Sequence, residues 1–437
     1  MKRQIFIYPG LTAALFFAGL EPSSAANTPP YYSYYDPIYD SGVVMEELVP
    51  QGESLGDALF GTSESRETHL GGFLSSFKLH AAASTSVSYT DNVRLSQDSR
   101  KSDIAHNGSA SLLADSDWDL HALAFGFAGN LKRWQDVSSE NQDGINFFAN
   151  GKLDITDEWT LSANFNYTKD TEGRDDPEAL ASDAQLRGIQ NYGGGLGLEF
   201  AGYPCTVSLR STINRLTYEK LDGETLGFRD RDVYRYSARI GHPLTESLSV
   251  YVQPAYGREI YAESKDASGF ARDSSAYELL GGVTYNVTDL TSLDFGMGVV
   301  RREFEDSRLQ DPQNVAINIS LHWAPYEDFS VNTTINRNLA STTLTGVNSI
   351  TVTQNKLSFA NAFRDNLIGT FELGYDMFEF SDSGRVDKDY TAGAGLNYLW
   401  SEAINAGVNY RFKTRDSSAI NRDFYSNTIL LTLSFSL

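Results

Sequence analysis

Residues 424–437 read FYSNTILLTLSFSL, and from Ile429 onward the side chains alternate between two faces. One face carries only large apolar side chains, namely Ile429, Leu431, Leu433, Phe435 and Leu437. The other face carries Leu430 followed by Thr432, Ser434 and Ser436. Because successive side chains of a strand point to opposite faces, this segment has an apolar face and a mostly polar face. The pattern predicts the closing strand of a membrane barrel, whose edge must pair with the first strand to leave no unsatisfied backbone in lipid.

From about residue 77 the chain repeats one unit: a strand of ten or more residues, a short turn, a second strand and a longer polar loop. The eighteen predicted strands start near Phe77, Asp103, Asp119, Asp143, Trp159, Gln185, Pro204, Arg231, Ser247, Ser274, Thr291, Gln313, Asp328, Ser349, Leu367, Lys388, Ala403 and Phe424. Alternating short turns and long loops are the layout of outer-membrane barrels. We therefore predict an all-β fold, an antiparallel up-and-down transmembrane β-barrel of about eighteen strands, with sixteen as the alternative count.

Single strands agree with this layout. From Trp159 the apolar positions continue as Leu161, Ala163 and Phe165, with serine, threonine and asparagine between them. Two strands depart from it. The third is ambiguous between faces over residues 123–127, and the segment from Ser349 changes phase between residues 352 and 357. A β-bulge in either strand would reconcile its pattern with a regular barrel.

The N-terminal region divides into two segments before the barrel, which we place at residues 71–437. Residues 1–26 carry two positive charges, an apolar run and small residues, which predicts a secretory signal peptide. Residues 27–70 are rich in proline, acidic residues and clustered tyrosine without a regular period, which predicts a disordered periplasmic lead. The alternative for the lead is a docking segment for a partner or for sugar rings.

The composition excludes several functions. With 57 acidic and 35 basic residues the formal charge is −22, which disfavours binding to nucleic acid. The single cysteine, Cys205, cannot form an internal disulfide. After residue 26 no run of 18 apolar residues occurs, so a membrane crossing would have to use strands. The six histidines are scattered, and no metal spacing, nucleophile motif or nucleotide-binding loop is present. We expect no enzyme activity, no catalytic residue, no cofactor and no metal site.

The polar face of the predicted strands contains charges that would line a lumen. The candidates are Arg210, Arg235, Arg239, Glu259, Glu278, Asp294, Glu372, Asp376 and Arg411. A cylinder of eighteen strands is wide enough to leave a water-filled channel, which these side chains would line or constrict. Because their signs are mixed, no ion selectivity follows from them, and the alternative is that they only hydrate and brace the inner wall. Asparagine-rich faces such as Asn332, Asn336 and Asn338 can form hydrogen bonds with sugar hydroxyls. Such faces are also typical of any water-filled lumen.

The first predicted strand ends in VSYTDNVRL, from Val87 to Leu95, and follows the signal segment and the short lead. With these features and the run of strands over residues 77–437, the chain resembles the β-barrel porins encoded with bacterial exopolysaccharide and capsule export genes. The resemblance implies an outer-membrane barrel that helps polysaccharide reach the cell surface, and it supplies no catalytic residue. One departure is the C-terminus, Phe435, Ser436 and Leu437, because many outer-membrane barrels end in phenylalanine.

We therefore expect a pore or accessory for export of surface polysaccharide in the outer membrane of a Gram-negative bacterium. The lead and the C-terminus would be periplasmic. The expected partners are outer-membrane lipid, the barrel assembly machinery, polysaccharide and periplasmic export components, with no nucleic acid. The alternatives are a general diffusion porin for small solutes, a non-conducting structural barrel and a surface hydrolase.

Overall fold

The computed structural model describes residues 76–116, 118, 120–178, 186–220, 229–288, 290–326 and 328–436. These residues form β1 (Phe77–Thr90), β2 (Asp103–Ser116), β3 (His121–Trp134), β4 (Gln142–Asp154), β5 (Trp159–Thr171), β6 (Gly188–Ala201), β7 (Thr206–Tyr218), β8 (Arg231–Pro243), β9 (Leu248–Tyr261), β10 (Ser274–Thr288), β11 (Thr291–Phe304), β12 (Gln313–Tyr326), β13 (Phe329–Ser341), β14 (Ser349–Arg364), β15 (Leu367–Phe380), β16 (Val386–Ser401), β17 (Ile404–Ser417) and β18 (Phe424–Ser436). A short 3-10 helix, Ser138–Glu140, follows β3. The predicted signal peptide and lead lie outside the described residues. Within the ranges given above, no helix is long and apolar enough to cross a membrane.

Every strand pairs antiparallel with its neighbours in the chain, and β1 also pairs with β18. That last pairing runs from Ala82 opposite Ser436 to Thr90 opposite Thr428. The eighteen strands therefore form a closed barrel, and the described sheet has no free edge. One end of the barrel carries longer connections, such as residues 262–273, and we call it the long-loop end. The other end carries turns of a few residues, such as 155–158, and is the short-turn end.

The predicted fold class is confirmed. The strand starts differ from the predicted ones by at most three residues, the largest difference being Gly188 where Gln185 was expected. The agreement has a physical cause: a strand that faces an apolar medium on one side and a polar interior on the other must alternate along its whole length.

The β-bulge interpretation of the two irregular strands was wrong. β14 pairs with β13 without a shift from Ser349 to Asn361, and its only shift against β15 falls at Ala362, far from the phase change. β3 pairs regularly with both neighbours. In β3 the outer face carries Phe125 and Phe127, whereas Ala124 and Ala128 on the inner face are buried. In β14 the phase change is real, and its cause is described with the interior of the barrel below.

Aromatic rings pack at two levels on the outer face of the same strand pair. Trp159 and Phe200, toward the short-turn end, have ring centroids 4.9 Å apart. Tyr167 and Tyr192, toward the long-loop end, have centroids 4.8 Å apart. Eight residues separate the two levels, which is about 20 Å of height once the strand tilt is included. This spacing is close to the apolar band of about 25 Å that aromatic girdles flank in outer-membrane barrels.

Leu431 lies near the middle of β18 with its side chain on the outer face, 57% exposed. We predict that Leu431→Arg destabilises the folded barrel in lipid vesicles by about 2–4 kcal/mol, because it places a charge at the depth of the acyl chains. The matched control is Thr432→Arg on the inner face of the same strand, for which we expect a much smaller loss. Urea unfolding followed by tryptophan fluorescence measures both. Equal losses for the two variants would contradict the assignment of the faces.

Candidate functional site

Arg239 of β8 and Asp294 of β11 form an ion pair although two strands separate them. Such a contact is open only to side chains on the concave inner face. Asp294 also accepts hydrogen bonds from the Thr284 hydroxyl at 2.8 Å and from the Tyr251 hydroxyl at 3.1 Å. The Arg239 guanidinium lies 3.5 Å from the centroid of the Tyr251 ring. These contacts satisfy the Asp294 carboxylate within the wall, so the group braces the four consecutive strands β8 to β11.

Glu372 of β15 joins two cations on another part of the inner wall, formed by β14 to β17. Its carboxylate lies 3.1 Å from Lys356 Nζ in β14 and 4.0 Å from Arg411 Nη2 in β17. The side chains of Glu372 and Arg411 are 26% and 27% exposed, so this group borders open space rather than packed protein.

A third group of charges is buried. Glu259 lies 3.2 Å from Arg302 Nη1 and also accepts a hydrogen bond from the Ser341 hydroxyl. Glu278 and Arg235 are also buried. The Nε and Nη1 atoms of Arg235 have no hydrogen-bond partner among the described residues. A buried charge is costly unless it is paired. The stability of these buried charges therefore depends on the side chains that pair with them, such as Ser341 with Glu259.

The other predicted residues lie apart from these groups. Arg210 Nη2 is 3.4 Å from Glu199 Oε1 on the neighbouring strand β6. Asp376 lies opposite Gln354 and Asp389 in the strand register. The nine residues are thus distributed around the barrel and do not form one site. Their role in lining a conducting lumen stays a prediction.

The ends of β13 and β14 turn into the barrel. β12 pairs with β13 only as far as Arg337, whereas β13 and β14 remain paired up to Ser341 opposite Ser349. Beyond Arg337 both faces of the hairpin are covered, because the consecutive residues Leu339 and Ala340 are each at most 2% exposed. We call residues 338–352 the inward hairpin.

Apolar contacts hold the inward hairpin on both of its faces. Leu339 belongs to a buried cluster on the inner face of β9 to β12, formed with Ala255, Ala276, Leu280, Val300 and Ala316. A second cluster on the other side consists of Ala340, Val347, Ile350, Val352, Phe378 and Phe380. Complete burial of a side chain the size of Leu or Ile contributes about 1.5–3 kcal/mol, so these two clusters fix the hairpin in place.

Polar contacts complete the attachment of the inward hairpin to the wall. Arg302 Nη2 donates to the Leu339 carbonyl at 3.4 Å, and Asn314 donates to the Thr351 hydroxyl at 2.8 Å. The Arg272 guanidinium donates to the Val347 carbonyl at 2.7 Å. The apolar residues on the expected polar face of β14, Ile350 and Val352, are the sequence signal of this arrangement rather than of a β-bulge.

A second segment also enters the interior: residues 172–178, EGRDDPE, which follow β5 and which we call the inward loop. Asp175 Oδ2 of this loop lies 2.5 Å from Lys413 Nζ in β17, a strand six positions away from β5 around the barrel. Arg415 of the same strand donates to the Asp175 carbonyl at 2.5 Å. The loop therefore crosses the interior near the long-loop end. The sequence indicated only a long acidic loop here.

Further polar contacts anchor the inward loop on other sides. Arg174 forms two hydrogen bonds with Glu140, at 2.9 and 3.0 Å. Glu172 lies 2.6 Å from Arg229 Nη1. At the end of the loop, Glu178 accepts hydrogen bonds from the Thr342 hydroxyl and from the Thr343 backbone N–H. The last contact joins the inward loop to the inward hairpin.

The two inward elements are held by different forces. Apart from Pro177, the inward loop contains no apolar side chain larger than glycine, and its contacts are ion pairs and hydrogen bonds. Among its ion pairs, that of Glu172 with Arg229 and that of Arg174 with Glu140 are buried, whereas that of Asp175 with Lys413 is partly exposed. An ion pair that reaches solvent exchanges with water and salt more readily than buried apolar surface does. Through its Asp175 contact, the inward loop is therefore the more readily displaced of the two elements, and the inward hairpin is the fixed one.

The carboxylates of the inward loop titrate differently. Burial raises the pKa of Asp176 to about 6, although the charge of Arg229 opposes this. Burial likewise raises the pKa of Glu172 against the opposing charge of Arg229. For Asp175, burial also disfavours the charged form, but Lys413, through its charge and its hydrogen bond, holds the pKa below the ordinary value of 3.8.

Glycines on the inner face of β6 leave room for the asparagine side chains of the neighbouring strands. Gly193, Gly195 and Gly197 alternate along the inner face, and a Cβ atom at Gly193 would collide with the amide oxygens of Asn166 and Asn214. The flanking asparagines therefore lie over the glycine strip. The strip and these amides form a neutral surface of hydrogen-bond donors and acceptors.

Within the described ranges, no group of three or more His, Cys, Asp or Glu side chains is arranged to hold a metal ion.

The pKa of Asp176 predicts a pH dependence for the inward loop. Because this pKa is raised inside the barrel, its contribution to holding the loop is complete below about pH 4 and is lost as the pH rises through about 6. Asp175 has a depressed pKa, so its contribution persists at neutral pH and is lost only in stronger acid.

We predict that protection of the backbone amides of residues 172–178 falls by roughly tenfold to a hundredfold between pH 5 and pH 8. Hydrogen–deuterium exchange, corrected for the intrinsic pH dependence of exchange, measures this. The variant Asp176→Asn, which cannot ionise, should lose most of the change. Equal protection of the wild-type loop at both pH values would contradict the prediction.

Searches for similar structures find outer-membrane proteins. The chain aligns over 82% of its length with 80% of the siderophore receptor PirA from Pseudomonas aeruginosa, at 10% identity and a TM-score of 0.44. It aligns over 82% of its length with 82% of the FrpB iron transporter from Neisseria meningitidis, at 8% identity and a TM-score of 0.46. It also aligns over 82% of its length with 99% of Pseudomonas aeruginosa OpdK, whose crystal structure contains vanillate, at 9% identity and a TM-score of 0.45. No functional inference follows from similarity this low.

No curated protein matches the chain. A family model described as "Putative beta-barrel porin 2" matches residues 69–437, which is most of the chain and includes all eighteen strands. The match agrees with the closed antiparallel barrel and with the alternation of its two faces. The chain therefore belongs to this family of outer-membrane β-barrel porins.

Proposed function

We propose that this barrel is a passage, or an accessory to a passage, through which surface polysaccharide is exported. The observation that carries the proposal is the neutral inner surface of β5 to β7, where Asn164, Asn166 and Asn214 flank the glycine strip. A sugar hydroxyl is both a donor and an acceptor, and an asparagine amide offers both functions. Many weak hydrogen bonds of this kind, each exchangeable with water, allow a polymer to move without being held.

The charges of the inner wall are compatible with a neutral or weakly charged substrate. Arg239 with Asp294 and Arg210 with Glu199 pair opposite signs on the wall itself. Paired charges hydrate the surface but produce little net field along an axis. The proposal includes no enzymatic step, and membership of a porin family favours transport over catalysis.

The orientation and partners are part of the proposal. Short turns face the periplasm in outer-membrane barrels of known orientation. In this orientation both termini are periplasmic and the inward loop and inward hairpin lie near the cell exterior. The lead would then meet periplasmic export components, and the barrel assembly machinery would insert the chain into lipid.

Two alternatives have observations in their favour. The neutral wall would also pass small sugars and other solutes, which describes a general diffusion porin. The inward loop and inward hairpin both occupy the interior, which favours a non-conducting structural barrel. A surface hydrolase has no such support, because the interior contacts of the carboxylates described above are structural pairs.

We predict that Gly195→Tyr impairs the passage. A side chain at Gly195 would meet only the ends of the Asn164 and Thr212 side chains, which can move, so the barrel should fold and the ring should project into the interior. The matched control is Leu196→Tyr on the outer face of the same strand. In a strain that lacks the chain, we expect Leu196→Tyr but not Gly195→Tyr to restore surface polysaccharide, and Gly195→Tyr to lower single-channel conductance.

The same experiment separates the alternatives. Normal surface polysaccharide in the deletion strain with altered uptake of small solutes would contradict the export proposal and favour a diffusion porin. A correctly folded barrel that never conducts in a planar bilayer would favour the structural barrel. Folding of each variant is checked by its heat-dependent migration in electrophoresis.

A further inference from the structure

Three cations form a ladder along the inner face of β17. Arg411, Lys413 and Arg415 occupy alternate positions of the strand, so their Cα atoms are spaced by about 7 Å. The ladder runs from open space at Arg411, whose side chain is 27% exposed, to full burial at Arg415. The inward loop meets the ladder at its buried end, where Asp175 contacts Lys413 and Arg415.

The carboxylates of the wall are already shared among these cations. Arg415 forms two hydrogen bonds with Asp389, at 2.6 and 2.7 Å. Glu372 is shared between Lys356 and Arg411. Lys413 lies 3.7 Å from Asp389, and the carboxylate in direct contact with it is that of Asp175, at 2.5 Å. The close anionic partner of Lys413 is thus supplied by the inward loop and not by the wall.

Asp175 is placed as a ligand would be. Its carboxylate lies on Lys413, and its carbonyl accepts a hydrogen bond from Arg415. The side chains of Asp175 and Lys413 are 29% and 21% exposed, so the contact is open to molecules in the interior. Since the pair of Asp175 with Lys413 is polar and partly exposed, a carboxylate from solution can replace that of Asp175 by exchange of like for like.

Small residues leave room beside the ladder. Gly393 lies opposite Arg411 and Thr391 lies opposite Lys413 on the neighbouring strand. A Cβ atom at Gly393 would be in ordinary van der Waals contact, 3.6 Å from the Tyr410 carbonyl oxygen, so the position is small without being crowded. The small residues and the Thr391 hydroxyl suit a ring that carries hydroxyls.

We propose that Lys413 and Arg415, continued by Arg411, form a binding subsite for a carboxylate, and that Asp175 occupies this subsite when no ligand is bound. The ligand is a sugar acid or another small organic acid, and its binding releases the inward loop. The inference rests on the proposed passage function, because it names a chemical class that the passage would recognise. Neutral sugars would contact the asparagine surface, and acidic sugars would also contact the ladder.

Calorimetric titration of the detergent-solubilised full chain tests the proposal. The probes are glucuronate, a uronic acid tetramer, acetate and a neutral glucose tetramer. We expect the wild-type chain to bind carboxylates, Asp175→Asn to bind them about tenfold more tightly because the internal competitor is weakened, and Lys413→Met to bind them at least about tenfold more weakly. The matched control, Lys388→Met, removes a cation from the outer face of the adjacent strand and should leave affinity unchanged.

Tighter binding of the tetramer than of glucuronate or acetate identifies an acidic polysaccharide as the source of the carboxylate, whereas equal affinities identify small acids. Absence of carboxylate binding to the folded wild-type chain would overturn the proposal, as would equal affinities of wild type and Asp175→Asn. A barrel that conducts and exports polysaccharide but binds no carboxylate would overturn this inference and leave the passage function intact. Carboxylate binding by a barrel that never conducts would overturn the passage function and leave the carboxylate subsite intact.

Discussion

Pairing of the first strand with the last is the constraint on which the rest of the structure depends. Once Thr90 lies opposite Thr428 and the strand pairing continues to Ser436, the described sheet has no free edge and its backbone hydrogen bonds are made within the wall. In lipid this closure is obligatory, because an unpaired N–H or C=O group costs several kcal/mol there. Closure also creates an enclosed inner face, which must be hydrated, paired or covered by other parts of the chain.

The chain covers that face in two physically different ways. The inward hairpin brings its own apolar side chains, so that Leu339 and Ile350 are as buried as residues in the core of a soluble protein. The inward loop brings charges: Glu172 contacts Arg229, Asp175 contacts Lys413 of the wall, and Glu178 contacts the inward hairpin. Apolar burial does not respond to salt or to modest changes of pH, whereas ion pairs respond to both. The proposed passage would therefore have a permanent narrowing at the inward hairpin and an adjustable one at the inward loop.

Sequence reasoning succeeded where one physical pattern extends over the whole element. The alternation of lipid-facing and inner side chains gave all eighteen strands, because each strand meets the same two environments. It failed where a contact joins residues far apart in the chain: Asp175 and Lys413 are separated by 238 residues, and no local pattern connects them. The phase change after Val352 was a visible signal, but a β-bulge and an inward-turned hairpin have the same local signature. The nine charged candidates followed from strand parity, whereas their division into paired and buried groups depends on the closed barrel.

The central claim is that the inward loop, held by ionic contacts, limits the passage and can leave it. The most direct test is the single-channel conductance of the full chain between 0.1 M and 1 M KCl, divided by the conductivity of each bulk solution. A rigid pore gives a constant ratio, and a rigid charged pore gives a ratio that falls as salt screens its charges. We predict that the ratio rises with salt, because screening weakens the partly exposed contact of Asp175 with Lys413 in the wall. A constant or falling ratio would contradict the account.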